Sequence, residues 1–326
     1  DSGIVVIVPI YNQLQAARRC IESILPTLAD KHRLLLIDDR SDAHTAAELS
    51  AFADTHSRVT YLRNDLNLGF VGAANRGMSW AGIRGQDMIL LNSDTLVVTG
   101  WLDRIQRAAE SDPTIGILSP LANTSPHLHL HPPPGQTFLT ADLWLQETVK
   151  PLYPTVITPE GWCFYIRHQV WRRLGGFDPI FGRGYCEESD YCLRALAAGW
   201  RLACCDNLMI YHQGQVTFGG QRSQRYLTNR RIFDQRWSMI YERIYPEFLK
   251  ADPLGIIRSC YHHEFGLPQA PSRAGSVPFN LLKILDTPGL EDELSAYERG
   301  FSRRQAVALP SRPTLVLVLP DLRPQS

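Results

Sequence analysis

The chain has 326 residues, with Lys+Arg and Asp+Glu both 33, so its formal net charge is zero. A general nucleic-acid binder carries a basic excess, and none is present. No apolar run approaches the ~20 residues of a membrane-spanning helix, and the first residues do not read as a secretory signal.

Residues 4–8 form an apolar strand that runs into Pro9-Ile10-Tyr11-Asn12. A helical pattern follows over 15–28. A second apolar strand, 34–37, runs into Asp38-Asp39-Arg40-Ser41, and a second helix covers 43–56. Residues 59–62 make a short strand, and 72–82 a helix rich in small residues. A third apolar strand ends in Asn92-Ser93-Asp94, followed by a helix over 102–109 and a strand over 115–118. This alternation predicts an α/β fold with a largely parallel sheet. Strands apolar on both faces are covered by helices on both sides. Ligands of such sheets sit beyond the carboxyl ends of the strands, so the three polar clusters should open onto one crevice. Carboxylates and amides with few lysines suit a nucleotide held through a divalent metal.

The middle is less regular. Prolines exclude a helix over 125–135. His127, His129 and His131 alternate there and would share one face of a strand. With no fourth ligand apparent, they read as a surface loop rather than a metal centre. Regularity returns with a strand over 163–166, a helix over 169–174 stopped by Gly175-Gly176, and a helix over 187–198 stopped by Gly199. A strand over 208–211 ends at His212. Residues 223–250 are helical and aromatic; the aromatics alternate with charges, which predicts core packing rather than a membrane-binding face. The seven cysteines are scattered and form no C-x-x-C pair. They read as reduced, mostly buried thiols of a cytoplasmic protein, not zinc ligands.

Several clusters could carry chemistry. Asp94, at a strand end, is of the type that ligates Mg²⁺ or Mn²⁺, although taken alone it reads better as the cap of the next turn, because such triplets are common. Glu187, Glu188 and Asp190 open a helix, where the dipole favours acids. Asp190 and Arg194 are four residues apart, so an ion pair accounts for Asp190. Glu187 and Glu188 are better candidates for a general base acting on a substrate hydroxyl. His212 counts as a ligand if Asp94 lies across the crevice from it. Residues 63–77 are a strand exit, a glycine-bearing loop and a helix, where backbone amides can approach phosphates. They match neither a Walker A loop nor a dinucleotide fingerprint.

The ordered set Pro9-Ile10-Tyr11-Asn12, Asp38-Asp39-x-Ser41, Asn67-x-Gly69-Phe70, Asn75-x-Gly77 and Leu90-Leu91-Asn92-Ser93-Asp94 resembles the family 2 glycosyltransferases with the GT-A fold. Gly175-Gly176-Phe177-Asp178, the acidic stretch from Gly184 to Arg194, Ala198-Gly199-Trp200 and Tyr211-His212 extend the resemblance over residues 3–220. It implies a mostly parallel nucleotide-binding sheet flanked by helices, a smaller acceptor-side subregion and a helical C-terminal extension. Pro9, Tyr11, Asn12, Asp38 and Asp39 would hold the base and ribose. Arg63, Asn67, Gly69, Asn75, Asn92 and Ser93 would line the nucleotide-sugar pocket. Asp94 and His212 would hold Mn²⁺ or Mg²⁺. Glu188 is the first choice for the base, Glu187 the second and Asp190 the third. The first Asp of the family's D-x-D is Asn92 here, and its Glu-Asp base motif reads Glu-Glu.

The resemblance implies inverting transfer of a sugar from a nucleoside diphosphate, dTDP- or UDP-linked and with rhamnose as one guess, to a glycan or lipid-linked glycan acceptor in surface polysaccharide synthesis. The expected location is the cytoplasm, at most peripheral at the inner face of the membrane. The expected organisation is a glycosyltransferase domain over 1–250 (donor half 1–120, acceptor half 121–250), an extension or linker over 251–312, and the start of a further domain at 313–326, with a further glycosyltransferase domain as the expected partner. Two alternatives stand: a non-catalytic module of a larger transferase, and a sugar-phosphate nucleotidyltransferase. The latter normally has a basic, glycine-rich loop after strand one, which Pro9-Ile10-Tyr11-Asn12-Gln13 lacks.

Overall fold

A computed structural model describes residues 3–125, 127–214 and 222–268, all within one unit, Asp1–Ile284. In chain order the elements are β1 (Ile4–Ile10), α1 (Leu14–Ile24), β2 (Arg33–Asp38), α2 (Ala43–Asp54), β3 (Val59–Arg63), α3 (Gly69–Ile83), β4 (Asp87–Leu91), β5 (Thr95–Leu96), α4 (Trp101–Ser111), β6 (Ile115–Ala122), α5 (Phe138–Thr148), β7 (Cys163–Ile166), α6 (His168–Leu174), α7 (Glu187–Ala197), β8 (Arg201–His212), α8 (Arg222–Ala251) and α9 (Gly255–Glu264). The sequence expectations beyond residue 268, including the further domain, lie outside the described residues.

The sheet has eight strands in the order β3-β2-β1-β4-β7-β6-β8-β5. Its first four strands are parallel, as the doubly apolar sequences require. β1 is central to them, and six of its seven residues are buried. On one face Val6, Val8, Leu34 and Leu36 pack with Ala17, Cys20, Ile21 and Ile24 of α1 and with Trp101 and Ile105 of α4. On the other face lies α3. A Cβ added at Gly77 would stand 2.3 Å from Ile7 Cγ2, so a glycine lets α3 approach the sheet.

The second half of the sheet is mixed. β7 runs antiparallel to both β4 and β6, β8 is parallel to β6, and β5 is antiparallel to β8. This mixed sheet flanked by helices is the GT-A arrangement expected from the resemblance.

Register sets the site. Ile10 aligns with Asp38, and Asp38 with Arg63, so β1, β2 and β3 end together. Ile7 aligns with Leu90, which brings the end of β4 to the same edge. Thr95 aligns with His212, which joins the end of β8 to the turn after β4.

Candidate active site

The crevice lies beyond those carboxyl ends. Asn12 and Gln13 take the left-handed conformation (φ 55° and 52°) and turn the chain from β1 into α1. The Asn12 N–H donates to Ser41 Oγ (2.8 Å), and its side-chain oxygen accepts from the Asp42 N–H (2.9 Å). Tyr11 is 44% exposed and offers a ring face at this edge. Pro9 is half-buried within β1.

The two aspartates after β2 have different duties. Asp38 accepts from the Ser41 N–H (2.7 Å) and from the Tyr61 hydroxyl (2.6 Å), with Arg63 Nη1 at 3.3 Å. Asp39 reaches the glycine loop instead. It accepts from Asn64 Nδ2 and from the Leu68 and Gly69 N–H groups, each at 2.8 Å. It thereby caps the start of α3 from outside the helix. Gly69 has φ 74°, and a Cβ there would stand 2.7 Å from Arg183 Cγ. The Asn67 Oδ1 beside this loop is buried without a donor, as expected of an atom that meets a ligand.

Asn75 is half-buried, and its amide is held by backbone groups. Its Nδ2 donates to the Phe177 carbonyl (2.9 Å) and its Oδ1 accepts from the Phe177 N–H (2.7 Å). Both polar ends of the amide are engaged by the Gly175-Gly176-Phe177-Asp178 turn.

Asn92, Ser93 and Asp94 are half-buried at the end of β4. Asp94 Oδ1 lies 3.5 Å from His212 Nε2, with side chains 10% and 17% exposed. Across this gap Asn92 Nδ2 is 3.5 Å from the same nitrogen. His212 is well held. Asn123 bonds both its N–H (2.7 Å) and its carbonyl (3.1 Å), and Trp162 stacks on its ring at 5.8 Å between centres. Sequence reasoning singled out neither Asn123 nor Trp162; neither carries a motif signal.

The acidic start of α7 packs against the segment before β7, where Glu188 lies beside Gly161. Tyr185 and Cys186 take left-handed φ values of 76° and 69°, an uncommon conformation for residues with a Cβ. Glu187 and Glu188 follow, and each has one buried carboxyl oxygen with no donor. A Cβ added at Gly161 would stand 3.4 Å from Glu188 Cγ. Burial raises both carboxyl pKa values, and the Glu188 charge raises Glu187 further. Glu160, also missed in the sequence, accepts from Ser125 Oγ and from Trp162 Nε1 (3.2 Å), and ties the 125–131 loop to the crevice wall.

Asp190 is the exception. It is fully buried, and Arg194 Nε, Arg236 Nη1 and Trp237 Nε1 all donate to it at 2.9 Å. The ion pair read from the sequence is present, and the two α8 partners add to it.

The three histidines do not converge. His127 meets the Tyr245 hydroxyl at 2.8 Å, while the His129 and His131 rings lie 4.9 Å apart. Among the described residues no group of three or more His, Cys, Asp or Glu could hold a metal. All seven cysteines are free, and six are buried. In α8, Phe233, Trp237, Ile244 and Phe248 are buried, as core packing predicts.

The carboxyl edge of this largely parallel sheet gathers carboxylates, amides and an imidazole, at the place where sheets of this kind bind ligands. The chain belongs to glycosyl transferase family 2, whose model matches residues 5–175. It is 26% identical over 148 residues to glycosyltransferase GlyG of Streptococcus pneumoniae serotype 4, covering 44% of this chain and 48% of GlyG. It is 23% identical over 107 residues to GlyA of the same organism, covering 33% of this chain and 15% of GlyA. The chain thus spans about half the length of the first relative and less of the second.

Two solved structures share the fold. One is GalNAc-T7 with UDP, GalNAc and Mn²⁺ (TM-score 0.59, 17% identity, 82% of this chain and 55% of that one). The other is the mannosyltransferase PcManGT of Pyrobaculum calidifontis with GDP-Man and Mn²⁺ (TM-score 0.50, 17% identity, 95% and 76%). Among the described residues no helix is long and apolar enough to cross a membrane.

Proposed function

We propose that the chain transfers a sugar from a nucleoside-diphosphate sugar to a glycan hydroxyl with inversion at the anomeric carbon. The observation that carries this reading is the convergence of Asp94 and His212 at one edge of the sheet that also presents Tyr11, Asn67 and the Gly69 loop. Tyr11 offers its ring to the base. The buried Asn67 oxygen and the loop amides meet the ribose and phosphates.

Asp94 and His212 fit a divalent cation. They present a carboxylate oxygen and an imidazole nitrogen side by side, and among the described residues Asp94 has no lysine or arginine partner. Mn²⁺ accepts both donor types, and diphosphate oxygens and water would complete its shell. When bound, the cation stabilises the charge on the departing diphosphate.

Glu188 takes the proton of the acceptor hydroxyl as that oxygen bonds to the anomeric carbon, and the bond from that carbon to the diphosphate oxygen breaks. One displacement needs one base and no enzyme nucleophile. Burial raises the Glu188 carboxyl pKa towards the range in which a base works near neutral pH. The habit of the family favours a surface glycan as acceptor. A dTDP- or UDP-linked donor, rhamnose among the candidates, is the donor class to try first.

The test is nucleotide release from a panel of UDP-, dTDP- and GDP-sugars with Mn²⁺ or Mg²⁺, for wild type, Asp94→Ala and Glu188→Gln. Metal-dependent release lost in Asp94→Ala, with transfer lost in Glu188→Gln, is the expected result. No release from any donor and no nucleotide binding by calorimetry would instead mark a non-catalytic module.

A further inference from the structure

Proton abstraction by Glu188 leaves one buried acid without a task. Glu187 is 5% exposed and adjoins the base. As two carboxylates the pair would be acceptors only. Each already has a buried oxygen with no donor, and two like charges would sit side by side out of water. The two adjoining side chains act on each other's ionisation, and a hydrogen bond between them would need a proton, because two carboxylates only accept. One proton between them removes the conflict: one group becomes a donor, the other keeps its charge, and the pair carries a single negative charge.

We infer that Glu187 and Glu188 share one proton, with Glu187 as the protonated partner that holds Glu188 as the carboxylate. Glu187 is then a positioning residue that acts through the base. The assignment follows from the surroundings. Glu187 is the more buried of the two, and its carboxyl lies against Gly184, where an added Cβ would be 3.8 Å from both its oxygens. Glu188 lies against Gly161. The other charged or titratable groups around the pair among the described residues are Glu160 before β7, Asp190 and the buried Cys192 on α7, Cys186 at its start, and Arg230 and Asp234 of α8 facing Cys186. Arg230 is paired with Asp234 (2.7 Å) and Asp190 with Arg194 and Arg236, so no free cation replaces the shared proton. Burial raises both carboxyls, so each favours taking up the proton and only one can. The departure of this motif from Glu-Asp to Glu-Glu thus has a chemical consequence, a second carboxyl long enough to reach the first.

The inference rests on Glu188 as base for its catalytic meaning, but the shared proton can be read in the resting protein. Infrared spectra of the whole chain at pH 7 should show a protonated carboxyl that Glu187→Gln or Glu187→Ala removes. Asp206→Asn serves as control, because burial raises that acid as well. No protonated carboxyl in wild type, or one that survives both Glu187 variants, overturns the inference. A pH profile of kcat/KM with the active donor of the same panel adds a catalytic readout. Glu187→Gln retains a donor and should leave the acid limb in place. Glu187→Ala should move that limb to higher pH, with activity below it falling about tenfold per pH unit of displacement. A limb unmoved in Glu187→Ala also overturns it. Turnover that persists in Glu188→Gln would overturn the base assignment alone, since the infrared result does not depend on it.

Discussion

Asp190→Asn separates a structural acid from a catalytic one. The wild-type carboxylate is fully buried and takes three donors at 2.9 Å from Arg194, Arg236 and Trp237. The amide keeps the shape but loses the charge, and its NH₂ must point at a guanidinium or at the indole N–H. Removing one member of a buried ion pair costs about 3–5 kcal/mol. Here the stranded cations retain other acceptors. Arg236 keeps Asp178 at 2.9 Å, and Arg194 keeps the carbonyls of Leu174 and Gly176 at 3.3 and 3.0 Å. The loss should therefore sit at the low end, about 3 kcal/mol. With a urea slope of about 1–3 kcal/mol per M, that is a midpoint lowered by about 1–3 M. Urea unfolding followed by tryptophan fluorescence measures it, alongside turnover under folding conditions. Turnover should fall only as the folded fraction falls. An unchanged midpoint with turnover abolished would refute this reasoning and make Asp190 the base.

Asn75→Ala should lower stability by about 2–4 kcal/mol, because it strands the Phe177 N–H and carbonyl in a part-buried turn. Nucleotide affinity by calorimetry should change little, whereas a large loss of affinity with normal stability would make Asn75 a direct ligand. Acid should destabilise the fold through His129. Burial first, then Arg258, lowers its pKa from 6.5 to about 4, so the unfolded chain binds the proton more readily. Its contribution is complete above about pH 6.5 and is lost as pH falls towards 4. His129→Leu should flatten the dependence of the urea midpoint on pH over that window without abolishing it, because burial lowers His32 and His127 in the same direction. An identical slope in the variant would count against this account.

Much of the nucleotide half was legible because its strands are apolar on both faces and end abruptly in polar residues. The strands ending near Asn12, Asp38 and Asn92 stand where the pattern put them, and the pairing of Asp94 with His212 follows from their register. α5 was not legible. Prolines precede it, and its apolar residues lie on two faces: Ala141 and Leu145 inside, Leu139 and Leu143 half exposed. β8 read as a short strand from residue 208 because Asp206-Asn207 resembles a turn. It begins at Arg201, and the register against β6 shifts between Pro120 and Leu121, where Cys205 gives way to Met209. The antiparallel β7 has no local signature, since direction is set by the strands that receive it.

The site was legible as residue types, not as partnerships. The Asp190–Arg194 ion pair is local and was readable, but other groups that engage Asp190 and Asn75 come from far away. Trp237 is 47 residues from Asp190, and Phe177 is 102 from Asn75. Glu187 and Glu188 can be told apart only by what surrounds them.

The arginine and tryptophan of α8 also bear on where the molecule can be cut. The family match stops at residue 175, well short of this helix. Yet Arg236 bridges Asp178 and Asp190, and Trp237 closes over the latter. A fragment trimmed to the recognisable motifs, ending near residue 220, would take Arg236 away from Asp178 and Asp190 and expose the apolar surface under Phe233 and Trp237. A shortened chain that keeps these contacts must therefore extend at least to Trp237, whatever the motifs alone suggest.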